Sequence, residues 1–240
     1  MANSFRHRLK RSSAVNRLKR SSAVRRASVA HLLPRAAALD TGNALRFGRD
    51  APRFAERLWI DPASVVMHST RLRRAASAQV LDGDWDQLVG ELASVVPYRE
   101  LELHWGEGLS WEEVGAVARY ERAFLANPKK PQHGRTTMDE IHALLADWDD
   151  LFRTVCATRM LLSRHELGLP VFRGYDDIVV HFSRSGEPLF GWRGKHRLAA
   201  ARIAGIRWIP VQVGAVHREA VTSWHRIGVR SLRRPSFAVD

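Results

Sequence analysis

The sequence contains a single cysteine, Cys156, among its 240 residues. One thiol excludes an internal disulfide framework and fits a reducing compartment, so we expect a cytoplasmic protein. Cys156 falls in an apolar-periodic segment, so we expect it to be a buried structural thiol and not a nucleophile. No stretch approaches the roughly twenty consecutive apolar residues that a membrane-spanning helix needs, so no transmembrane segment is predicted.

Several catalytic and metal-binding motifs are also missing. The eleven histidines include no H-E-x-x-H pattern, and no cysteine and histidine pairs have the spacing of a zinc site. No serine lies in a G-x-S-x-G turn, the nucleophile motif of many hydrolases. The sequence therefore predicts neither a metal site nor a serine hydrolase.

Acidic residues are absent before Asp40, although the whole chain carries a net charge of +13. Residues 1–58 hold fourteen Lys and Arg against three acids, and the remaining residues are nearly balanced. The basic charge therefore belongs to an N-terminal arm, predicted over residues 1–56, and not to the folded part of the chain.

The arm contains a direct repeat, because residues 8–15 recur as residues 17–24. A repeat of nine residues is too short for a stacked repeat fold and indicates a local duplication. Residues 6–35 are a candidate nucleic-acid-binding segment, since clustered Lys and Arg neutralise backbone phosphates. A solvated disordered tail, a contact with an anionic membrane surface and a transit peptide are the alternatives.

The middle of the chain is predicted to be mostly helical, with strands at both ends of the folded region. The capping boxes that begin at Ser110 and Thr137 predict two longer helices, and the resemblance described below implies an opening strand that includes Trp59. The other expected elements are short helices over residues 71–80, 86–95 and 98–105, and a hairpin over residues 178–190. This order of elements predicts an α+β fold.

The most informative motif runs G-K-H-R-L-A-A-A-R-I-A-G from Gly194 to Gly205. It predicts a glycine turn, a short helix and a glycine stop, and a buried strand over residues 209–213 follows. A helix start carries unpaired N–H groups and the positive end of the helix dipole, so it favours an anion.

The predicted phosphate-binding residues are Arg193, Gly194, Lys195, His196 and Arg197. Arg197 is the principal candidate, because a guanidinium is always charged and can grip phosphate oxygens with two donors. The imidazole of His196 either donates to the same anion or packs against the turn. Glycine at position 194 allows the backbone to approach a ligand closely.

The hairpin, the G-x-H-R-L-x-A-A helix and the following I-P-V-x-V strand together resemble the ParB/sulfiredoxin-like superfamily. An I-D-P stretch at residues 60–62 and a D-W-D stretch at residues 84–86 are similar to segments of uncharacterised ParB-like proteins. The resemblance implies a small mixed sheet with a helical insert. The implied boundaries are residues 57–218 for the domain, about 85–163 for the insert and 219–240 for a C-terminal tail.

Departures from the family patterns narrow the implied activity. Lys195 stands where sulfiredoxins carry their catalytic cysteine, and Arg193 stands where free serine kinases carry an acid. His196 departs from the G-x-R-R box of ParB proteins, and about 27 residues follow Val213, too few for their helix-turn-helix module.

The resemblance therefore implies a nucleotide- or phosphate-binding domain, with activity as an NTPase or small-molecule kinase. ATP or CTP is the expected ligand and Mg²⁺ the expected companion ion. A nucleic-acid-associated binding protein that uses the basic arm without catalysis is the alternative. A ligand sensor that has lost activity is a third interpretation.

Asp82, Asp84 and Asp86 are the candidate catalytic carboxylates, because phosphoryl transfer uses acids to hold Mg²⁺ or to accept a proton. Their alternation resembles the start of a calcium loop, but Gln87 and Ala93 replace the glycine and glutamate that such a loop needs. The sequence leaves open whether these acids face a site or cap a turn.

Overall fold

The structure, a computed structural model, describes residues 32–72, 77–163, 166–167 and 177–227. The α-helices in these ranges are α1 Leu32–Phe47, α2 Val96–Glu107, α3 Ala116–Ala126, α4 Met138–Thr158 and α5 Lys195–Ile203. The strands are β1 Arg57–Ile60, β2 Met67–Ser69, β3 Val80–Leu81, β4 Val89–Glu91, β5 Ile178–Phe182, β6 Pro188–Phe190 and β7 Ile209–His217. Helices long and apolar enough to cross a membrane are absent from these ranges.

The seven strands form one mixed sheet in the order β1-β7-β5-β6-β2-β4, and β3 also pairs with β7. The predicted hairpin is the antiparallel pair β5 and β6, while β5 and β7 run parallel. All residues of β5 and β7 are buried, as expected for central strands with covered faces. The α+β prediction is confirmed.

Helix α5 packs between the sheet and helices α2 and α4. Its residues Leu198 to Ala201 are completely buried, and the three alanines among them let neighbouring backbones approach closely. A smaller cluster of Trp85, Leu189 and Ala215 forms a second group of buried apolar residues. The N-terminus of α5 is consequently held in place by packing around most of the helix.

One of the two predicted capping boxes, at Thr137, begins its helix. The hydrogen bonds of the other, at Ser110, form over a turn, and α3 begins only at Ala116 with Gly115 as its N-cap. The Ser110 hydroxyl accepts the Glu113 N–H at 3.1 Å, and the Glu113 carboxylate accepts the Ser110 N–H at 2.7 Å. The Thr137 hydroxyl accepts the Glu140 N–H at 3.2 Å and begins α4. These hydrogen bonds could be predicted from the sequence because a capping box joins residues that are only three positions apart.

Three local predictions from the sequence are wrong. The helix expected over residues 86–95 is absent, because Val89–Glu91 pairs with β2 as an edge strand and a 3-10 turn follows. Cys156 is exposed, since α4 buries the face that carries Ile141, Leu145 and Val155. The described part of residues 71–80 holds a turn and the start of β3 in place of a helix.

The carboxylate of Asp149 on α4 connects the helices of the insert. It accepts the indole N–H of Trp105 at 2.9 Å and that of Trp111 at 3.1 Å. His104 Nε2 lies 2.9 Å from the same carboxylate, and its ring stacks on Trp111. These contacts fix α2 and the segment before α3 against α4.

We expect Gly194→Ala to destabilise the protein more than Gly115→Ala. Both glycines precede a helix with φ near +79°, but a Cβ at Gly194 would lie 2.8 Å from the Cα of Ile178. A Cβ at Gly115 would meet no described atom within 4 Å. The left-handed conformation costs about 1–2 kcal/mol in both variants, and overpacking adds roughly 1–3 kcal/mol at Gly194 alone. Urea denaturation measures both, and equal losses would contradict the close contact.

Candidate functional site

The glycine turn before α5 brings the helix start against the first residue of β5. Gly194 adopts φ +79°, and its Cα approaches the backbone of Ile178 more closely than any side chain would permit. Trp192, two residues earlier, also has a positive φ of 65°, and its indole N–H donates to the Ser69 carbonyl at 2.6 Å. The sequence predicted that Gly194 lets a ligand approach the backbone. In the structure, Gly194 instead allows α5 to pack closely on β5.

Arg197, the principal candidate from the sequence, is engaged within the protein. Its guanidinium donates to the carboxylate of Asp177 and to the carbonyl of Leu162. Asp177 is buried, so this ion pair is largely shielded from solvent. Arg197 therefore ties α5 to the segment before β5 and to the segment after α4, and a ligand would have to compete with these partners.

Lys195 faces the helical insert, between elements that are distant in the sequence. Its side chain is half-buried and makes no hydrogen bond or ion pair with the described residues. Burial lowers the pKa of Lys195 to about 8, and the nearby positive charge of Arg119 lowers it further, while Glu100 acts in the opposite direction. The surroundings therefore disfavour the charged ammonium, and a bound anion would lower the free-energy cost of that charge.

His196 packs against α4 and comes close to a second histidine. Its ring stacks on Trp148 with centroids 3.6 Å apart, and the ring of His133 lies 5.9 Å away. Burial holds the pKa of His196 well below its usual range, and the charge of Lys195 acts in the same direction. His133 is affected similarly, by burial first and then by Lys195, which brings its pKa to about 4. Both imidazoles are neutral at pH 7, so each offers one donor and one acceptor.

Arg119 reaches this region from α3 and is held there by Glu100 of α2. Two hydrogen bonds of 2.7 and 2.6 Å join the guanidinium to the buried carboxylate, and the guanidinium also lies over the ring of Tyr120. Glu100 is thereby occupied by Arg119. We call Arg119, His133, Lys195 and His196 the basic cluster.

Two members of the basic cluster were predicted from the sequence, and two were missed. Lys195 and His196 were found because they sit in the first turn of a recognisable helix. Arg119 and His133 lie more than sixty residues earlier, in the insert. No spacing rule connects them to Lys195, so only the tertiary packing of the insert on α5 reveals them.

Arg193 is exposed, and its carbonyl accepts the Val179 N–H at 3.3 Å. It belongs to the turn that joins β6 to α5. The structure thus brings Lys195 and His196 together in one cluster and places Arg197 in an internal ion pair.

The three candidate carboxylates lie in a different place. Asp86 is buried and accepts hydrogen bonds of 2.8 and 2.9 Å from the Arg184 side chain and 2.9 Å from its backbone N–H. Asp84 contacts the same guanidinium at 2.7 Å but is exposed, and Asp82 pairs with Arg218 at 3.1 Å. Hydrogen bonds from Arg184 lower the pKa of Asp86 from 3.8 to about 2.

These acids and the glycine turn lie at opposite ends of β5. Arg184 lies two residues beyond Phe182, the last residue of β5, whereas Gly194 contacts the first residue, Ile178. The strand rises through four residue steps from Ile178 to Phe182, which corresponds to about 13 Å. The structure therefore does not bring the candidate catalytic acids together with the candidate phosphate-binding residues.

Clusters of three or more side chains able to hold a metal ion are absent from the described ranges. The buried histidine of β5 has a packing role, because His181 Nε2 contacts the Leu72 carbonyl and Nδ1 accepts the Ala215 N–H. Burial lowers the pKa of His181 to about 4, so the ring is neutral, as these two contacts require.

The basic arm falls mostly outside the described residues, which include only positions 32–35 of the segment predicted to bind nucleic acid. Helix α1, which lies within the predicted arm, is fixed to the domain. The buried Asn43 amide donates to the carbonyls of Pro52 and Ala78, and the Asp40 carboxylate accepts the Phe54 N–H. Nucleic-acid binding by residues 6–35 stays a prediction.

Comparisons of the chain with protein-family models, curated proteins and solved structures found no match. The resemblance to the ParB/sulfiredoxin-like superfamily rests on the sequence motif alone and stays a prediction.

We expect Asp86→Asn to lower the free energy of unfolding by about 2 kcal/mol, because it weakens several charge-assisted hydrogen bonds to Arg184 in a buried position. Asp84→Asn is the matched control, since it touches the same guanidinium from an exposed position and should cost less than about 0.5 kcal/mol. Urea denaturation at pH 7 measures both variants.

The pH dependence gives a second measurement. The folded-state pKa of Asp86 lies below its ordinary value, so the ionised carboxylate stabilises the fold above pH 4. This contribution is lost as the pH falls from about 4 towards 2, and the difference between the native protein and Asp86→Asn should shrink there. A constant difference across this range would contradict the assignment.

Proposed function

We propose that the protein binds a phosphate-bearing small molecule at the basic cluster, with Lys195 as the principal charged contact. The observation that carries the proposal is the half-buried Lys195 ammonium, which lacks a hydrogen-bonding or ionic partner among the described residues. A buried cation without a partner is costly, and an anion that pairs with it regains that free energy.

The start of α5 supports the same assignment. The first backbone N–H groups of a helix have no partner within it, and Gly194 has no side chain that could cap them. These groups and the helix dipole favour negative charge at the position where Lys195 and His196 begin. A phosphate group, with several acceptor oxygens, can use the ammonium and backbone donors together.

The charge around the basic cluster also favours an anion. Glu100 is engaged by Arg119 through two hydrogen bonds, so Lys195 is left as the uncompensated charge. The neutral imidazoles of His133 and His196 add hydrogen-bonding capacity without adding negative charge. Trp148 stacks on His196, and Tyr120 lies edge-on to His133, so aromatic packing holds both imidazoles in place.

The proposal is limited to binding. Transfer or hydrolysis of a phosphoryl group generally requires carboxylates for Mg²⁺ or for a proton at the reacting phosphate. Asp82, Asp84 and Asp86 are held in ion pairs at the other end of β5 and do not support such a role at the basic cluster.

We expect calorimetric titration to detect binding of methyl phosphate, ATP or CTP, measured with and without Mg²⁺. Lys195→Met should weaken the affinity by about 10- to 100-fold, the cost of losing one charged hydrogen-bonding group. Lys129→Met, which removes an exposed lysine of the loop before α4, is the matched control and should leave the affinity unchanged. Absence of binding by all three ligands to the folded protein would refute the proposal.

Binding should weaken as the pH rises above about 8. Only the protonated Lys195 attracts the anion, and in the free protein its pKa is about 8. An anion favours the charged form, so the affinity for methyl phosphate should fall by up to tenfold per pH unit above this value. Methyl phosphate keeps its full charge over this range, because its second ionisation lies near pH 6. Lys195→Met should show no such dependence, and a flat profile for the native protein would exclude Lys195 as the contact.

A further inference from the structure

Helix α1 turns one face towards the domain and the opposite face towards solvent. Its inner side is held by the buried Asn43 amide and by Leu39 and Phe47, which pack against the main apolar core. The opposite side carries Leu33 and Leu45, whose side chains are 64% and 82% exposed. A partner that covers such leucines gains the free energy of removing apolar surface from water.

The exposed side of α1 is a continuous uncharged face. We call it the outer face, and its six exposed residues are Leu33, Ala37, Ala38, Thr41, Ala44 and Leu45. Positions three, four and eleven apart share one side of a helix, so these residues form a single strip. From Leu33 to Leu45 the helix rises through twelve residue steps, so the strip is about 18 Å long.

Positive charge borders the outer face. Arg35 and Arg46 are exposed and eleven positions apart, so they lie on the same flank of the helix. Asp40, the acid of α1, is half-buried, and its carboxylate accepts the Phe54 N–H at 2.6 Å. The chain before α1 contains many basic residues and no acid. An uncharged face with leucines and a basic flank is typical of helices that lie on anionic membranes.

A cleft of about 340 Å³ opens beside the outer face near the end of α1. Thr41 and Ala44 line it from the outer face, Asp40 lines it from the inner edge of the helix, and Arg49 and Arg53 line it from the segment that follows. Arg53 donates to the Arg49 carbonyl at 3.3 Å, and a guanidinium carries five N–H donors, so this bond leaves further donors for a phosphate oxygen. The cleft thus joins the uncharged strip to two guanidinium groups.

We propose that the outer face of α1 docks on the surface of an anionic lipid bilayer. Leu33 and Leu45 enter the boundary between headgroups and acyl chains, and Arg35 and Arg46 contact lipid phosphates on one flank. The cleft receives one phosphate headgroup. This surface is separate from the basic cluster, and the proposal does not depend on the proposed function.

Two other partners fit this surface less well. A nucleic acid would pair with the arginines through its phosphates, but it would leave Leu33 and Leu45 in water. A second copy of the chain, packed with its α1 antiparallel, would cover the leucines. It would also bring Arg35 of one copy towards Arg46 of the other, and like charges at an interface repel. An anionic bilayer alone satisfies both the leucines and the arginines.

Flotation of the full-length protein with lipid vesicles tests the proposal. We expect binding to vesicles of about seven parts phosphatidylcholine to three parts phosphatidylglycerol, and at least tenfold weaker binding to phosphatidylcholine alone. Leu33→Ser combined with Leu45→Ser should weaken binding to the anionic vesicles by about tenfold or more, since two apolar side chains are no longer buried. Leu125→Ser is the matched control, because Leu125 of α3 is also 82% exposed but lies outside the outer face.

The charged flank is tested in the same way. Arg35→Gln and Arg46→Gln should each weaken binding to the anionic vesicles by about fivefold. Lys129→Gln and Lys130→Gln, which remove exposed charges from the loop before α4, are the matched controls and should leave the affinity unchanged.

A fluorescent label separates contact by α1 from contact by the basic arm alone. Cys156 is exposed, so Cys156→Ser provides a background without cysteine for a single new thiol. A nitrobenzoxadiazole label on Leu45→Cys should brighten and shift to the blue on anionic vesicles, because it enters the acyl boundary. The same label on Leu125→Cys should not change. Circular dichroism checks that each variant is folded.

Four outcomes would overturn the proposal. The first is that the native protein fails to bind anionic vesicles. The second is that the leucine variant binds as well as the native protein and the label on Leu45→Cys does not shift, which would assign the contact to charge alone. The third is binding to duplex DNA without binding to vesicles. The fourth is a dimer in sedimentation equilibrium that Leu45→Ser abolishes, without binding to vesicles. Phosphate titration at Lys195 reports on a different surface, so its failure would leave these results unchanged.

Discussion

The close contact between Gly194 and the backbone of Ile178 is the constraint on which the rest of the site depends. It lays the start of α5 directly on the first residue of β5, at a separation that no side chain would allow. From this position the first turn of the helix projects in two directions. Lys195 and His196 meet the helical insert, while Arg197 meets the buried Asp177. One glycine thus decides which basic residues are available to a ligand and which stabilise the fold.

Neighbouring basic residues in one helical turn therefore have different electrostatic roles. Arg197 has a buried carboxylate and a carbonyl as partners, and Arg202, one turn later, donates to the Val65 carbonyl. Lys195 is half-buried near the guanidinium of Arg119, and among the described residues its ammonium has no hydrogen-bonding or ionic partner. A buried charge is tolerable when it is paired, whereas an unpaired one shifts its pKa and gains from an incoming anion. Arg197 and Lys195 therefore differ in electrostatic role because their side chains extend into different surroundings.

The two ends of β5 also differ in whether their charged side chains are paired. Around its last residue, Arg184 gathers Asp84 and Asp86 into a compact group that closes the hairpin turn against the loop before β4. Around its first residue, cations outnumber the available carboxylates, because Glu100 is the partner of Arg119. Charge is therefore neutralised internally at one end of the strand and left uncompensated at the other. Ligand binding is accordingly proposed for the second end alone.

The sequence by itself determined the α+β class, the helix cap at Thr137, the hairpin and the glycine-led helix, because each depends on residues within a few positions of one another. It also indicated that the first turn of α5 is basic. Only the tertiary structure decided that Val89–Glu91 pairs as an edge strand, that Cys156 faces solvent and that the three aspartates stand apart from the glycine turn. It alone brought Arg119 and His133 to Lys195. Pairing and burial depend on what a segment packs against, and those partners lie tens of residues away in the chain.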